Sequence, residues 1–268
     1  MRPGDGESLA DRDSAGRIQV LPGLRALLVG ASGGIGLETA RWLDPAEGWL
    51  GLHCHTNRSA LDELCARAGL RSKARVFQAD LSRPAHCHDL VQEFVAWSGG
   101  IDVLVVLLGA VHSPAGWDEL TPDAWQHDLD LNLTAPFHLA QEAMVTMQRA
   151  EKGGRIIFAG SISAAYGGGP STLAYGVAKA GIEGLVKGLA RAGAPHHILV
   201  NAVVPGFVDT GFHARWIGRT PEEVRERVTR VPLGRPGTPA EVAAAITYLC
   251  SPWAGFITGA LLPVSGGD

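Results

Sequence analysis

The sequence lacks the features that mark membrane-spanning and nucleic-acid-binding proteins. Its longest nearly unbroken apolar stretch, Val103–Val111, is far shorter than the roughly 20 residues that a membrane-spanning helix needs. Its formal net charge of −4 provides no global basic field that would attract nucleic acid or an anionic membrane surface. We therefore expect neither nucleic acid nor membrane among the partners of this protein.

Cysteine is also scarce. The four cysteines are Cys54, Cys65, Cys87 and Cys250. None of them forms a CxxC pair, so a reduced, cytoplasmic state is the default. Two of them lie inside His-Cys-His triplets, at 53–55 and 86–88, but the triplets meet no standard zinc-ligand spacing. We therefore expect no metal site, and we interpret the triplets as a strand end and a helix start that happen to contain histidines.

The beginning of the chain has no apolar core. Residues 1–16 are rich in Gly, Asp, Arg and Ser, which excludes a secretory signal and predicts a flexible leader over residues 1–20. The remaining residues, 21–268, contain no internal repeat, linker or change of composition, and they are numerous enough to bury a substantial core. We predict that they form a single domain.

Apolar runs alternate with helical patterns along this domain. The predicted strands are Arg25–Val29, Trp49–Cys54, Ala74–Gln78, Val103–Leu108, Arg155–Ala159, Leu199–Val204 and Leu261–Val264. The predicted helices are Ile35–Leu43, Ser59–Ala68, Pro84–Trp97, Pro122–Gln148, Ala174–Ala192 and Ala240–Cys250. Several strands are continuously apolar, as expected when helices cover both faces of a sheet. The alternation predicts an α/β fold with a doubly wound parallel sheet.

A glycine-rich turn, Gly30-Ala-Ser-Gly-Gly34-Ile-Gly36, joins the first strand to the first helix. Glycines permit a tight turn and a close approach of backbone to a pyrophosphate, and a helix N-terminus supplies free N–H groups and a partial positive charge. In a chain with 35 glycines this spacing arises by chance about 0.6 times. Its place between a strand and a helix makes it a candidate dinucleotide site, and the alternative is a merely tight turn.

The ends of the second and third strands are expected to face the far end of such a cofactor. No Asp or Glu occurs between Gly48 and Leu61, whereas Arg58 is available to bind a 2′-phosphate. This favours NADP(H) over NAD(H), unless Arg58 is only a solvated loop residue. Asp80-Leu81 closes the third strand near the expected adenine ring, although spacing alone supports a helix N-cap carboxylate equally well.

Tyr175 and Lys179 form the strongest motif. Their four-residue offset on a predicted helix puts both side chains on one face. An ammonium beside a phenol lowers the pKa of the phenol, which suits tyrosine to general acid–base catalysis. With three Tyr and four Lys in the chain, YxxxK is expected about 0.05 times by chance. Ser161 follows the strand Arg155–Ala159 at the ligand-binding edge of the sheet, where it can orient a substrate oxygen or merely cap a loop.

Two further features fit the same site. Asn132 falls inside the predicted helix Pro122–Gln148, where a buried structural anchor is commoner than a catalytic group. Pro205-Gly206 opens a segment that reaches about Arg230 and is rich in Gly, Arg and aromatic residues. This composition suits a mobile lid over a pocket. Because glutamates interleave with the arginines of the segment, we interpret its helical part as a solvated lid rather than as a basic docking patch.

Taken together, these residues resemble the short-chain dehydrogenase/reductase family over about 24–267, most closely its one-domain 3-oxoacyl-carrier-protein reductase branch. The resemblance implies a seven-stranded Rossmann-type sheet and a catalytic tetrad of Asn132, Ser161, Tyr175 and Lys179. It also implies a homotetramer or, failing that, a homodimer. The residues expected at the cofactor are Gly30, Ser32, Gly34, Ile35, Gly36, Asn57, Arg58, Asp80, Leu81, Gly109, Tyr175, Lys179, Pro205, Gly206, Val208 and Thr210.

The sequence departs from the family pattern at several places. Val29 stands where the family has threonine, and the family's Asn-Asn-Ala-Gly block reads Val106-Leu-Leu-Gly109, which puts local cofactor contacts in doubt. The spacing from Ser161 to Tyr175 is one residue longer than expected, which predicts a bulged loop and makes Ser163 a rival for the serine role.

The leading hypothesis is an NADPH-dependent enzyme that reduces a ketone, possibly a 3-oxoacyl or polyketide-type substrate, to a secondary alcohol. Tyr175 is expected to donate the proton, Lys179 to lower its pKa, Ser161 to position the carbonyl and Asn132 to hold a water. An alcohol dehydrogenase that works in the oxidative direction is the alternative among enzymes. A non-catalytic dinucleotide-binding regulator is the alternative outside them.

Overall fold

The computed structural model describes residues 20–67, 69–112, 114–218 and 220–268, except for the side chains of residues 213 and 214. All of the predicted leader but its last residue lies outside these ranges. Within them, no helix is long and apolar enough to span a bilayer.

Seven parallel strands form one sheet. They are β1 (Arg25–Val29), β2 (Trp49–Cys54), β3 (Lys73–Gln78), β4 (Val103–Val106), β5 (Gly154–Ala159), β6 (Ile198–Pro205) and β7 (Leu261–Val264). Their order across the sheet is β3-β2-β1-β4-β5-β6-β7. The predicted seven-stranded, doubly wound fold is confirmed.

Helices cover both faces of this sheet. Along the chain they are α1 (Gly34–Leu43), α2 (Arg58–Arg67), α3 (Pro84–Ser98), α4 (Pro122–Leu129), α5 (Ala135–Ala150), α6 (Ser163–Tyr166), α7 (Leu173–Gly193), α8 (Phe212–Ile217), α9 (Pro221–Val228) and α10 (Pro239–Cys250). Side chains of α3, α5 and α7 fill one hydrophobic core, and side chains of α1, α2 and α10 fill the other. Burial on both faces explains why the central strands, such as β1 and β4, are continuous apolar runs in the sequence.

The fourth strand is shorter than predicted. It ends at Val106, not at Leu108. The amide of Leu107 still bonds the carbonyl of Val29 at 2.9 Å, but the carbonyl of Leu108 accepts a hydrogen bond from Lys179 Nζ at 2.7 Å. Leu107 therefore still bonds to β1 through its amide, whereas Leu108 lies at the cleft beyond the sheet.

The predicted helix Pro122–Gln148 is interrupted. Five residues, Asp130–Thr134, form a π-helical turn between α4 and α5. Such turns insert an extra residue into a helix, and they occur frequently at functional sites. Asn132 lies inside this turn, so the interruption falls at the one residue of the helix that the sequence singles out.

The strand order places a binding crevice at a defined point. From β1 the chain winds outward through β2 to β3, then returns to β4 on the other side of β1. In open parallel sheets, ligands bind outside the carboxyl ends of the strands, where the winding reverses. The glycine-rich turn after β1 and the segment after β4 lie on either side of this point.

Candidate active site

A cavity of about 580 Å³ opens at the carboxyl edge of the sheet. Backbone and side chains from the ends of β4, β5 and β6, from α7 and from the segment after Pro205 enclose it. Of the predicted site residues, those that line it are Ile35, Gly109, Ser161, Tyr175, Lys179, Pro205, Gly206, Val208 and Thr210. The structure thus gathers into one cavity the Tyr–Lys motif, the serine after β5 and the proline–glycine turn.

Tyr175 lies in the first turn of α7 and is buried in this cavity. Burial raises the pKa of its phenol to about 12, although a hydrogen bond with Ser161 opposes the increase. This direction contradicts the expected decrease towards neutrality. Its cause is desolvation, which penalises the phenolate, and the phenol therefore stays protonated throughout the physiological pH range.

Lys179 is only 2% exposed. Its ammonium donates hydrogen bonds to the carbonyls of Leu108, at 2.7 Å, and Ala159, at 2.8 Å. It lies 5.6 Å from the centre of the Tyr175 ring, and burial lowers the pKa of Lys179 to about 7. In this structure the ammonium therefore binds two strand ends, and it does not produce the expected decrease in the pKa of the phenol.

Ser161 rather than Ser163 contacts Tyr175. The Oγ atom of Ser161 accepts a hydrogen bond from the amide of Ser163 at 3.1 Å, and the two hydroxyl side chains of Ser161 and Tyr175 are hydrogen-bonded. Ser163 begins α6 and also lines the cavity. The backbone amide of Ser163 thus orients the hydroxyl that interacts with Tyr175.

The long loop between Ser161 and Tyr175 is accommodated by one turn of helix, α6, followed by two glycines. Gly167 and Gly168 have φ values of +67° and +93°, in the left-handed region. The loop rests directly on α7, because a Cβ atom on Gly176 would lie 2.1 Å from the amide nitrogen of Gly168. A side chain at Gly176 would therefore displace the loop that holds Ser161.

Asn132 is fully buried and its side chain is a structural anchor. Its amide donates to the carbonyls of Ala110, at 2.9 Å, and Asp128, at 2.8 Å, and its Oδ1 accepts from the amide of Ala110 at 3.1 Å. Both amide hydrogens are thus used within the protein. Since Ala110 follows Gly109, the side chain fixes the wall of the cavity opposite Tyr175.

The glycine-rich turn fits an anionic group. Gly30 adopts φ +79°, and a Cβ atom on Gly36 would lie 2.5 Å from the carbonyl oxygen of Gly30. The first turn of α1 contains no acidic residue, and its N-terminal N–H groups have no partner inside the helix. Thr210 joins this turn to the cavity, because a Cβ atom on Gly34 would lie 3.2 Å from Thr210 Cγ2.

The residues that follow β2 are more exposed than the residues of the cavity. Arg58 begins α2 with a side chain that is 51% exposed, and its Nε lies 3.3 Å from Asp62. Asn57 accepts a hydrogen bond from the Ser59 hydroxyl at 3.2 Å. Asp62 is thus already paired with Arg58, and the end of the strand itself presents amide and hydroxyl groups.

Asp80 is not a helix cap. Arg83 occupies the N-cap position of α3, whereas Asp80 accepts a hydrogen bond from the amide of Ser82 at 3.0 Å. That bond lowers the pKa of Asp80. The next residue, Leu81, is buried in the core. The capping alternative is therefore wrong, and Asp80 is a turn residue beside the crevice.

The segment after Pro205 covers the cavity with α8 and α9. The ring of Phe212 lies 5.8 Å from that of Tyr175, centre to centre. Arg227 lines the cavity and forms an ion pair with Asp268 in which both side chains are mostly buried. Arg225 and Arg230 instead pair with Glu222 and Glu226 at exposed positions. These ion pairs favour the interpretation of the segment as a solvated lid. Arg219, another arginine of the same segment, lies outside the described residues.

Two features could not be found from the sequence. The Arg227–Asp268 pair joins residues that are far apart in the chain, and no pattern links them. His53 stands out in the sequence only as one member of a His-Cys-His triplet, yet it is buried and bridges two strand ends. Over the described ranges, no cluster of His, Cys, Asp or Glu side chains has a metal-binding arrangement.

Comparison with known proteins identifies the family. A family model described as enoyl-(acyl carrier protein) reductase matches residues 30–268. Nodulation protein G of Rhizobium meliloti is 36% identical over 92% of this chain and 97% of its own length. Acetoacetyl-CoA reductase of the same organism is 34% identical over 91% and 97%. A dehydrogenase/reductase structure from Sinorhizobium meliloti matches 92% of this chain and 96% of its own, with a TM-score of 0.83 and 30% identity.

The chain therefore belongs to the short-chain dehydrogenase/reductase family and is an oxidoreductase that acts on CH–OH or C=O groups. Its relatives include ketone reductases, and the family binds nicotinamide cofactors.

Proposed function

We propose that the protein is an NADPH-dependent ketoreductase, formed by one catalytic domain over residues 21–268, in which Tyr175 is the general acid. The observation that carries this proposal is the burial of Tyr175, Ser161 and Lys179 in one cavity beside the glycine-rich turn. When bound, the reduced nicotinamide supplies the hydride.

The residues around the crevice suit each part of the cofactor. The turn from Gly30 to Gly36, with Ser32 and Ile35, would hold the pyrophosphate at the N-terminus of α1. Asp80 and Leu81 would flank the adenine, and Gly109, Val208 and Thr210 the nicotinamide. Arg58, with Asn57, would bind the 2′-phosphate of NADP(H). The lack of an acid at the end of β2 supports this preference over NAD(H).

The protonated phenol of Tyr175 is the form that a general acid needs in the reduction. A pKa raised to about 12 keeps the proton on the oxygen at neutral pH, so the phenol can give it to the carbonyl oxygen of the substrate. Ser161, oriented by the Ser163 amide, donates a second hydrogen bond to the same oxygen. The oxidative reaction would instead begin with a phenolate, which burial disfavours.

Lys179 and Asn132 hold the site in shape. In its ammonium form Lys179 has three N–H donors: two join the segment after β4 to the end of β5, and the third is left for a cofactor ribose hydroxyl. The Asn132 side chain uses both amide hydrogens to fix Ala110 and the segment from Asp128, and its Oδ1, which accepts from one backbone amide, keeps a lone pair for a water.

For the substrate we propose a 3-oxoacyl thioester or a related polyketide-type ketone. Acetoacetyl-CoA, the substrate named for one relative, is such a thioester. The aromatic and aliphatic wall of the cavity, with Phe207, Phe212 and Ile217, suits an acyl chain. A cytoplasmic setting agrees with the four cysteines, all of which are free thiols.

We further propose a homotetramer in which α5 and α7 pair with those of a second copy. A Cβ atom added to Gly184 or Gly188 of α7 would meet no atom of the described residues beyond its own helix within 4 Å, and Val177 and Phe137 expose about a third of their side chains. Light scattering coupled to size-exclusion chromatography tests this. A monomer at micromolar concentration would contradict it.

The central experiment is a substrate panel that includes acetoacetyl-CoA, followed by NADPH absorbance, with Tyr175→Phe as the matched variant. Wild type should reduce at least one 3-oxoacyl thioester, and Tyr175→Phe should lose about 10³-fold or more in kcat. NADPH binding should survive in the variant. Equal turnover by the two proteins would contradict the role of Tyr175 as general acid. No turnover of any ketone by wild type would favour a non-catalytic regulator.

A further inference from the structure

His53 is a buried polar residue that the reaction does not use. It lies near the end of β2 and is 2% exposed. Its Nδ1 accepts a hydrogen bond from the amide of Gly30 at 3.3 Å, and its Nε2 bonds the carbonyl of Ala79 at 3.1 Å. The ring thus bridges the residue that opens the glycine-rich turn and the residue that precedes Asp80.

The partners fix the state of the ring. A backbone amide can only donate a hydrogen bond and a carbonyl can only accept one. Nδ1 of His53 must therefore be unprotonated, and Nε2 must carry the proton. Burial acts in the same direction, because it lowers the pKa of His53 to about 4. The neutral Nε2–H form satisfies both polar backbone groups.

The bridge connects two segments that are each attached to the backbone of β2. The carbonyl of His53 accepts from the amide of Ala31 at 2.8 Å, and the carbonyl of Cys54 accepts from the amide of Ala79 at 3.1 Å. The imidazole adds a direct link across the strand end, between the turn that would hold the pyrophosphate and the turn that would flank the adenine.

We propose that His53 is a positioning residue that sets the separation of these two segments and thereby the affinity for the adenosine diphosphate half of the cofactor. This inference rests on the proposed function only in requiring a nicotinamide dinucleotide at the crevice. A purely structural histidine would stabilise the sheet without affecting cofactor affinity more than any other buried polar bridge.

Three variants separate the two bonds. His53→Leu removes both. His53→Asn keeps an acceptor at the same number of bonds from Cα as Nδ1, and so can retain the bond to Gly30. His53→Gln keeps a donor at the same number of bonds as Nε2, and so can retain the bond to Ala79.

A matched control is available on β6. Asn201 is also buried and bridges two backbone groups, donating to the carbonyl of Ile257 at 2.8 Å and accepting from the amide of Ala260 at 2.9 Å. Asn201→Leu should lower stability in the same way as His53→Leu, but at a place that faces no part of the cofactor crevice.

The measurements are the Kd for NADPH, by fluorescence titration without substrate, and urea unfolding of the protein without cofactor. His53→Leu should weaken NADPH binding about tenfold or more, while kcat at saturating NADPH changes less than about threefold. His53→Asn and His53→Gln each keep only one of the two bonds, so each should weaken NADPH binding less than His53→Leu does but measurably. Asn201→Leu should keep the wild-type Kd.

The proposal is overturned if His53→Leu and Asn201→Leu lose stability alike and both bind NADPH within about twofold of wild type. Should His53→Leu not fold, unchanged Kd values in both His53→Asn and His53→Gln overturn it equally. Failure of the proposed function would look different, because wild type itself would then bind neither NADPH nor NADH, or would bind a dinucleotide and reduce no ketone.

Discussion

The two ends of the proposed cofactor crevice, the catalytic end at Tyr175 and the proposed ribose end at Arg58, hold their charged groups in opposite ways. At the catalytic end, Lys179 is 2% exposed and donates to two backbone carbonyls, and the phenol of Tyr175 is buried beside it. At the ribose end, the side chain of Arg58 is 51% exposed and forms an ion pair with Asp62 at 3.3 Å. The charged group of the catalytic end is thus buried in the protein core, whereas Arg58 lies on the protein surface.

This contrast determines which energy dominates at each end. A buried ammonium is controlled by desolvation, which the protein must offset with fixed dipoles. An exposed guanidinium retains its hydration, and its ion pair with a neighbouring carboxylate contributes little to stability. Changes at the catalytic end should therefore affect chemistry and stability together, and changes at the ribose end should affect cofactor choice alone.

After Tyr175→Phe, the largest effect is expected from Lys179→Met. Loss of the ammonium that ties β4 to β5 should lower kcat by about 10²-fold or more. Stability should respond to pH as well. The pKa of Lys179 is about 7 in the folded protein against 10.5 when solvated, so folding opposes the charged form.

The sign of that pH dependence follows directly. Below about pH 7 the full penalty for burying the ammonium is present, and it disappears as the pH rises towards 10.5. The free energy of unfolding of wild type should therefore rise by a few kcal/mol more than that of Lys179→Met between about pH 7 and pH 10. Urea titrations at the two pH values measure this difference. An equal change in the free energy of unfolding for the two proteins would contradict the burial of a lysine that is charged in the unfolded chain.

The next effect distinguishes the two serines. Ser161→Ala removes the hydroxyl that bonds Tyr175 and should lower kcat by about 10²-fold. Ser163→Ala leaves intact the backbone amide that orients Ser161, so it should change kcat less than about threefold. Steady-state kinetics of both variants decide the matter, and the reverse ranking would transfer the substrate-positioning role to Ser163.

The same contrast explains what the sequence could predict. The bounds of β1 and β2 follow from their apolar runs, because a strand covered on both faces needs such a run, and the bounds of the half-exposed β7 also agree with the prediction. The apolar run that begins at Val103 predicts a strand two residues longer than β4. The difference arises because the carbonyl of Leu108 accepts a hydrogen bond from Lys179, which lies 71 positions away in the sequence.

The pKa values of the site residues also depend on contacts between residues that are far apart in the sequence. The four-residue offset of Tyr175 and Lys179 places them on one face of α7, but the pKa of each depends on burial among residues from β4 and β5. The prediction at the end of β2 depended less on the fold, because the absence of Asp and Glu between Gly48 and Leu61 can be seen in the sequence itself. Local patterns therefore found the residues, and only the fold shows their charge states.

The smallest effect, and the one that tests the exposed end most directly, is expected from Arg58→Ala. The variant should raise the KM for NADPH about tenfold and leave the KM for NADH unchanged, because only the 2′-phosphate would contact the guanidinium. Arg67→Ala is the matched control. Arg67 lies on the same helix, is 79% exposed and pairs with Glu63 at the equivalent i,i+4 spacing, but lies at the opposite end of α2 from the crevice. It should change neither KM. If Arg58→Ala raised both KM values alike, the guanidinium would contribute general positive potential rather than recognition of the phosphate.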